Sequence, residues 1–370
     1  MPVNESLDLN HLRAVLDQSG EPWRISYTSM TALTEAERVR RLGVPPTPGL
    51  DVDHLEEGKD ERAAMVRSAV AESVGAPATF DLRNVSGVDF TTPVKDQLSC
   101  GSCVSFATVA AMEHVRRFTT GTSGLAIDLS EAHLYYTHGR NAGATCSSGW
   151  WPDQACNASR DIGVTFEDYF PYTPGDQDSS RLNSDWPNRL AKITAWKLLN
   201  NNAAEMKRYI STYGSIGACF DVYQDFFSYG GGVYRHLTGS YAGGHCVCLV
   251  GYDDAQGCWI AKNSWGNGWG AGGFFRIAYG ECRIEGYQTV GIEGVNVRAW
   301  LPDQLILGLW SNEYDANVWA YGANRGWLML DGNTAVTDEA MLLELSASKA
   351  LRQPVGLFED AGAIQQIYAW

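Results

Sequence analysis

The chain has 370 residues, 45% of them apolar and 19% charged, with a formal net charge of -15. That length suits two or three compact units, and the balance is that of an ordinary globular protein. The acidic charge argues against nucleic acid, which needs basic patches to displace counterions, and against docking on anionic membranes.

The first twenty residues, MPVNESLDLNHLRAVLDQSG, lack the basic start and unbroken apolar core of a secretory signal. With Met1 as the native start, a cytoplasmic location is expected. No later stretch is long and apolar enough to span a bilayer, so no membrane partner is expected. Residues 1–77 read as an N-terminal extension. Leu9, Leu12 and Leu16 recur at helical spacing, and Trp23, Ile25 and Tyr27 alternate as in an extended segment. Thr34 followed by Glu37 spells a capping box for a short helix through Arg41, ended by Gly43 and the Pro45–Pro46 pair. A Pro-rich, acidic stretch follows as a linker. Then comes a helix over Arg62–Val74, broken by Gly75-Ala76-Pro77.

Residues 78–298 form the main unit. Its first half, Ser102 to Phe118 and Leu129 to His138, reads as helical. Its second half carries short apolar runs such as Cys246–Tyr252 and Cys258–Lys262, which read as strands. Helices first and strands afterwards imply an α+β fold with two lobes. Residues 303–370 read as a small α/β module. Leu305–Trp310, Trp327–Leu330, Val355–Phe358 and Ile364–Trp370 are strand-like. Thr337–Arg352 is a helix capped by Thr337, and Glu359-Asp360-Ala361-Gly362 turns the last two strands into a hairpin. Trp300, Trp310, Trp319, Trp327 and Trp370 read as the core of this small domain, with a ligand or partner surface as the other reading.

There are nine cysteines, an odd number, so at least one is unpaired within the chain. None lies before Cys100 or after Cys282. Cys103 follows Gln97-Leu98-Ser99-Cys100-Gly101-Ser102 and opens a helical pattern. The partial positive charge of a helix N-terminus favours a thiolate there, which is the nucleophilic form. A buried structural cysteine is the bland alternative. His245, after Gly243-Gly244 and at the start of an apolar strand, places an imidazole at the mouth of a cleft. Asn263 ends a strand before the Gly/Trp-rich loop Ser264-Trp265-Gly266-Asn267-Gly268-Trp269. Its amide oxygen can accept from one ring nitrogen of His245 and fix the tautomer, with Trp265 covering that bond. Cys246 and Cys248 share a strand face, but with no matching partner ligands no metal is expected. No cofactor is expected either.

Four stretches in order, PVKDQLSCGSC, the Cys146-Ser-Ser-Gly region, GGHCVCLVGYD and WIAKNSWGNGWG, resemble the papain-like cysteine peptidases, which include the cathepsins. The likeness covers about three-fifths of the chain, and His245 falls within the spacing of roughly 130–150 residues found in papain, with Asn263 slightly beyond it. The resemblance implies a two-lobed papain-like fold and hydrolysis of protein or peptide substrates through a Cys103 thioester. It makes His245 the acid and base, Asn263 its orienter and Gln97 the side-chain donor of the oxyanion hole, and it implies that Cys103 and His245 rest as thiolate and imidazolium. It pairs Cys100 with Cys146 as a disulfide, which points to an oxidising compartment. Gly149 falls where the family pairs backbone groups with the substrate chain. Cys219, Gly243 and Cys246 fall near the second specificity pocket, and their small size suggests a roomy apolar pocket for a bulky P2 side chain.

The chain departs from the family at Val104, at Leu98 in place of the usual glycine, and at Ser147–Ser148. The stretch from Trp23 through Leu33-Thr34-Glu35-Ala36-Glu37-Arg38 to Gly43 is similar to the end of a family prosegment, which occupies the cleft in a non-cleavable direction. A self-inhibited zymogen, cut near Gly75–Phe80, is therefore expected. A structural cap that is never removed is the other reading. A peptide ligase or transpeptidase using the same thioester, and a catalytically silent binding protein, are the alternative functions.

Overall fold

The computed structural model describes residues 7–20, 22–47, 49, 51–72, 75–314 and 317–369. Val74 and Trp370, at which two expected elements end, lie outside the described residues. In the extension, helix α1 (Leu9–Gln18) starts at Asp8, whose side chain accepts from the N–H groups of Asn10 and His11, and it buries Leu12 and Leu16. Strand β1 is Trp23–Ile25. Helix α2 (Glu35–Val39) carries the expected capping box between Thr34 and Glu37. Helix α3 spans Lys59–Ala71 and so begins three residues before the expected start.

The main unit opens with β2 (Thr79–Asp81) and helix α4 (Cys103–Thr119), which is buried from Cys103 to Arg116. A π-helical segment, His133–Gly139, and helix α5 (Pro152–Asp161) complete the helical lobe. Then follow β3 (Val164–Thr165), β4 (Leu190–Ile193), β5 (Trp196–Leu198) and helix α6 (Ala203–Tyr213). The strand-rich half holds β6 (Ile216–Tyr223), β7 (Tyr229–Tyr234), β8 (Tyr241–Asp253) and β9 (Cys258–Lys262). It continues with β10 (Phe274–Ala278), β11 (Gln288–Ile292) and β12 (Val295–Gln304). The C-terminal stretch adds β13 (Ile306–Ser311), β14 (Val318–Gly322), β15 (Gly326–Leu330), helix α7 (Ala335–Leu351), β16 (Val355–Asp360) and β17 (Ala363–Tyr368).

Two sheets organise these elements. One runs β1-β7-β10-β9-β8-β6-β11-β5, with β2 also on β8. Its core is aromatic: Trp23, Phe226, Trp265, Trp269 and Phe275 are buried together. Trp23 belongs to the extension, so that segment shares the core of this lobe. The second core surrounds α4 and holds Cys103, Cys219, Cys246 and Cys248. Cys103 lies in this core and Trp265 in the other, which is the two-lobed α+β arrangement.

The second sheet runs β13-β14-β15-β17-β16-β12-β4-β3. The expected gap between residues 298 and 303 therefore falls inside β12, whose one edge pairs with β4 of the helical lobe and the other with β16. The C-terminal stretch has its own aliphatic core, including Ile306, Leu328, Leu345, Leu357 and Ile364. That core corrects the expectation for the tryptophans. Trp300, Trp310 and Trp327 are 43%, 49% and 48% exposed, because they stand on the sheet face opposite α7. The cap of α7 is Thr334, which accepts from the Thr337 N–H, and not Thr337 itself. Strand β14 was not expected from the pattern. The turn between β16 and β17 is Ala361-Gly362, both with positive φ (52° and 91°), as a two-residue hairpin requires.

Candidate active site

Cys103 is the first residue of α4, with its side chain fully buried. His245 is the fifth residue of β8, not the first of a strand as expected, since pairing begins at Tyr241. Its Nε2 lies 2.8 Å from the Asn263 side-chain oxygen, which fixes that nitrogen as the donor. The other ring nitrogen, Nδ1, is buried without a hydrogen-bond partner. It is thus the ring nitrogen left open for proton exchange. Trp265 stacks on the imidazole at 4.6 Å and 27° and shields the His–Asn bond from water.

Gln97 is held from both sides. Its Oε1 accepts from Ser264 Oγ at 2.7 Å, and its Nε2 donates to the Cys100 carbonyl at 2.7 Å. The same Nε2 donates to the carbonyl of Arg41 at 3.0 Å. The expected oxyanion donor is therefore bound to the extension. Cys100 and Cys146 are disulfide-bonded, and the Gly101 N–H donates to the Cys146 carbonyl at 2.9 Å. The nucleophile loop and the facing rim are thereby fixed to each other. Cys156 is a buried free thiol.

The extension lies directly in this cleft. Arg41 pairs with Asp96 at 3.1 Å. The Gly43 carbonyl accepts from the Trp150 N–H at 2.9 Å, and the Val44 N–H donates to the Gly244 carbonyl at 3.1 Å. The Tyr287 hydroxyl donates to the Pro45 carbonyl at 2.8 Å. The fit depends on glycine. A Cβ on Gly43 would stand 1.9 Å from the Gly101 carbonyl oxygen, and one on Gly149 would stand 2.1 Å from the Gly43 carbonyl oxygen. Leu42 covers Gly243 in the same way. Leu42 and Tyr287 were not singled out in the sequence. Gly43 read as the end of a helix and of the prosegment-like stretch, but nothing local marks a glycine for close approach to a backbone far along the chain.

Burial sets the protonation states. It pushes the Cys103 thiol up to about 12, against the weaker pull of the N–H groups of Cys246, Gly43 and Val104. It pushes His245 down to about 4, against the Asn263 hydrogen bond. Both shifts favour the neutral thiol and the neutral imidazole in this closed form, against the expected thiolate–imidazolium pair. Water excluded by the extension is the physical reason.

The residues expected to bind substrate fall around the same cleft. Gly149 and Gly243 contact the extension, and Trp265 backs His245. Cys219 and Cys246 face each other in register across β6 and β8, buried next to the nucleophile. Among the described residues there is no group of His, Cys, Asp and Glu that could hold a metal ion. Leu98, in place of the family's glycine, has a φ of +52°. A left-handed conformation costs a leucine about 1–2 kcal/mol, partly offset by the greater freedom of glycine in the unfolded chain. Leu98→Gly is expected to stabilise the protein by about 0.5–1 kcal/mol, read from the urea midpoint at unchanged slope.

A thiol at a helix N-terminus, an imidazole oriented by an amide, and a buried glutamine amide bound by the extension are the arrangement of a thiol peptidase held in a latent state. The family model described as "Papain family cysteine protease" matches residues 76–292. The chain belongs to the papain family of cysteine proteases. Cathepsin B-like CP3 of Giardia intestinalis is 34% identical over 245 residues, covering 63% of this chain and 79% of that protein. The gut-specific cysteine proteinase of Caenorhabditis elegans is 28% identical, covering 79% and 94%. Procathepsin L2 from the larval midgut of Tenebrio molitor superposes with a TM-score of 0.60 at 26% identity, covering 76% of this chain and 88% of that one. Procathepsin B S9 from Trypanosoma congolense shares the fold, with a TM-score of 0.61 at 24% identity over 78% and 98% of the two chains. The protein is a cysteine endopeptidase made as a zymogen. These relatives lend no support to a ligase or to a silent binding protein. The family match ends before β12, so the C-terminal stretch lies outside it.

Proposed function

We propose that Cys103 attacks the scissile carbonyl carbon while Gln97 Nε2 and the Cys103 N–H hold the developing oxyanion. His245, protonated at Nδ1 by the thiol proton, gives that proton to the leaving amine. It then takes one from water, whose oxygen displaces sulfur from the thioester and frees the acid product. Asn263 keeps the imidazole in the orientation that faces sulfur. The observation that carries this assignment is the His245 ring itself, with one nitrogen fixed on Asn263 and the other buried and unpartnered beside the helix that begins at Cys103. A thiol-reactive epoxide tests it. After removal of the extension, labelling of Cys103 is expected near neutral pH in wild type and not in His245→Ala. In the uncut chain, labelling is expected only as the pH approaches about 12. Equal labelling in wild type and His245→Ala would sink the assignment.

Residues 1–77 are proposed as the removable prosegment, 78–298 as the peptidase unit and 303–370 as an added module. The Gly75–Ala78 stretch is the favoured site of the cut, since Thr79–Asp81 already pairs with β8. A bulky apolar P2 side chain is the proposed preference. The small Gly243 and the apolar Leu42 packed over it support this, and a P2 substrate library checks it. An oxidising compartment is proposed from the Cys100–Cys146 bond. The exposed tryptophan face of the module is proposed as a surface for a partner or substrate.

A further inference from the structure

A cavity of about 380 Å³ lies where the C-terminal module meets the helical lobe, within the size range of small-molecule sites. Its floor is aromatic. Trp300 of β12 and Phe358 of β16 are register partners with ring centroids 5.5 Å apart. The indole of Trp300 passes over Gly356, where a Cβ would stand 3.7 Å from its Cε3. It stays 43% exposed although a full aliphatic core is available on the other side of the sheet. Tyr169 forms part of the wall.

The polar groups around this floor are mixed in kind and nearly balanced in charge. Arg298 pairs with Asp360 at 3.3 Å and Arg189 with Asp168 at 3.2 Å. Asn188 donates to Asp185 at 2.7 Å, and Gln366 reaches the cavity from β17. The Nε of Arg298 is buried with no partner. Two guanidinium groups stand against three carboxylates, each guanidinium paired, so the site is close to neutral and has little charge to select an ion. Its floor is a sheet face, with the β12, β16 and β17 ladders already paired. It therefore has no open strand edge to which an extended peptide could add.

The two rings are tilted 55° to each other and Arg298 lies over Phe358 at 5.9 Å, so the half-exposed indole of Trp300 is the face left for stacking. Such a face recognises a ring with C–H faces, and paired charges and amides recognise hydroxyl groups that both donate and accept. We infer that this cavity binds a neutral carbohydrate, one sugar ring stacking on Trp300 while its hydroxyls reach Asn188, Gln366 and Arg298. The inference rests on the reading of this face as a binding surface and names its ligand. It gives the peptidase an anchor to glycan-bearing material, on which tethering raises the effective concentration of protein substrate.

The test is calorimetric titration of the full-length chain with cello-, chito-, xylo- and manno-hexaose, with pull-down on cellulose and chitin. At least one series is expected to bind saturably. Trp300→Ala, an exposed position checked for folding by near-UV circular dichroism, is expected to weaken it roughly tenfold or more. Asn188→Ala is expected to weaken it as well, and cleavage of a short peptide is expected to stay unchanged. Absence of binding to every glycan, or binding indifferent to both substitutions, overturns the inference. Saturable binding of a proline-rich peptide in competition at Trp300, with no sugar bound, also overturns it while leaving the surface itself in place.

Discussion

Gly43→Ala is expected to cost the zymogen its latency. The added methyl carbon has no room, since its ideal position is 1.9 Å from the Gly101 carbonyl oxygen and 2.7 Å from the Gly101 Cα. Those neighbours are backbone atoms, and they belong to a loop fixed by the Cys100–Cys146 bond. They cannot turn aside as a side chain would. The segment from Arg41 to Pro45 must lift instead, and it then loses the bonds from Gln97, Trp150 and Tyr287 that hold it down. Overpacking of this kind costs about 3 kcal/mol at the upper end of its usual range, equivalent to roughly 100-fold in the closed-to-open ratio. Activity of the uncut chain on a short fluorogenic peptide is expected to rise by about that factor, and self-cleavage to quicken. The double variant Gly43→Ala, Cys103→Ala should stay uncut and show whether the fold itself is intact. A Gly43→Ala chain as silent as wild type until cleaved would show that latency resides elsewhere.

The second large effect lies far from the cleft. Glu359 of β16 is fully buried, accepts from Arg116 at 2.5 Å and is gripped by both Arg325 Nε and Nη2. Arg116 sits in the last turn of α4 and also donates to the Val295 carbonyl. One carboxylate thus joins the module to the far end of the helix that carries the nucleophile. Glu359→Ala leaves two guanidinium groups buried without their counter-charge, and removal of one partner from a buried pair typically costs about 3–5 kcal/mol. That is a large part of the stability of a marginally stable fold. Chemical denaturation is expected to show the loss as a single shifted transition, because β12 continues from one unit into the other. Two transitions, with the peptidase unit melting as in wild type, would show that the module is only an appendage. Deletion of residues 303–370 is expected to behave like the point variant or worse, since it also bares the edge of β12.

These two positions differ in how far the sequence reveals them. Gln97, Cys103, His245 and Asn263 are legible because each sits in its own local context, and the four contexts come in one order. The capping box at Thr34 and the helix buried at Leu12 and Leu16 are legible for the same local reason. Gly43 is not, because its importance comes from Gly101 and Gly149, which approach it only in the folded chain. The continuity of β12 is also hidden. Leu301-Pro302-Asp303 reads as a break, yet the pairing with β16 only shifts register there, with Asp303 at a positive φ of 54°. A bulge and a turn use the same residue types, and only the partner strand tells them apart. The tryptophans misled for a different reason. Aromatic density suggests a core, but it cannot say which face of a sheet the rings occupy. The push of burial toward neutral Cys103 and His245 was equally out of reach, since the motif is the same whether or not the cleft is covered.

The bond between Cys100 and Cys146 has a bearing beyond stability. It clamps together the two walls that touch Gly43, one through Gly101 and one through Gly149, so that the extension enters a slot of set width. In a reducing medium that width is no longer held by a covalent tie. How firmly the enzyme is kept silent then becomes a property of its surroundings, set by the thiol–disulfide balance where it is made and stored.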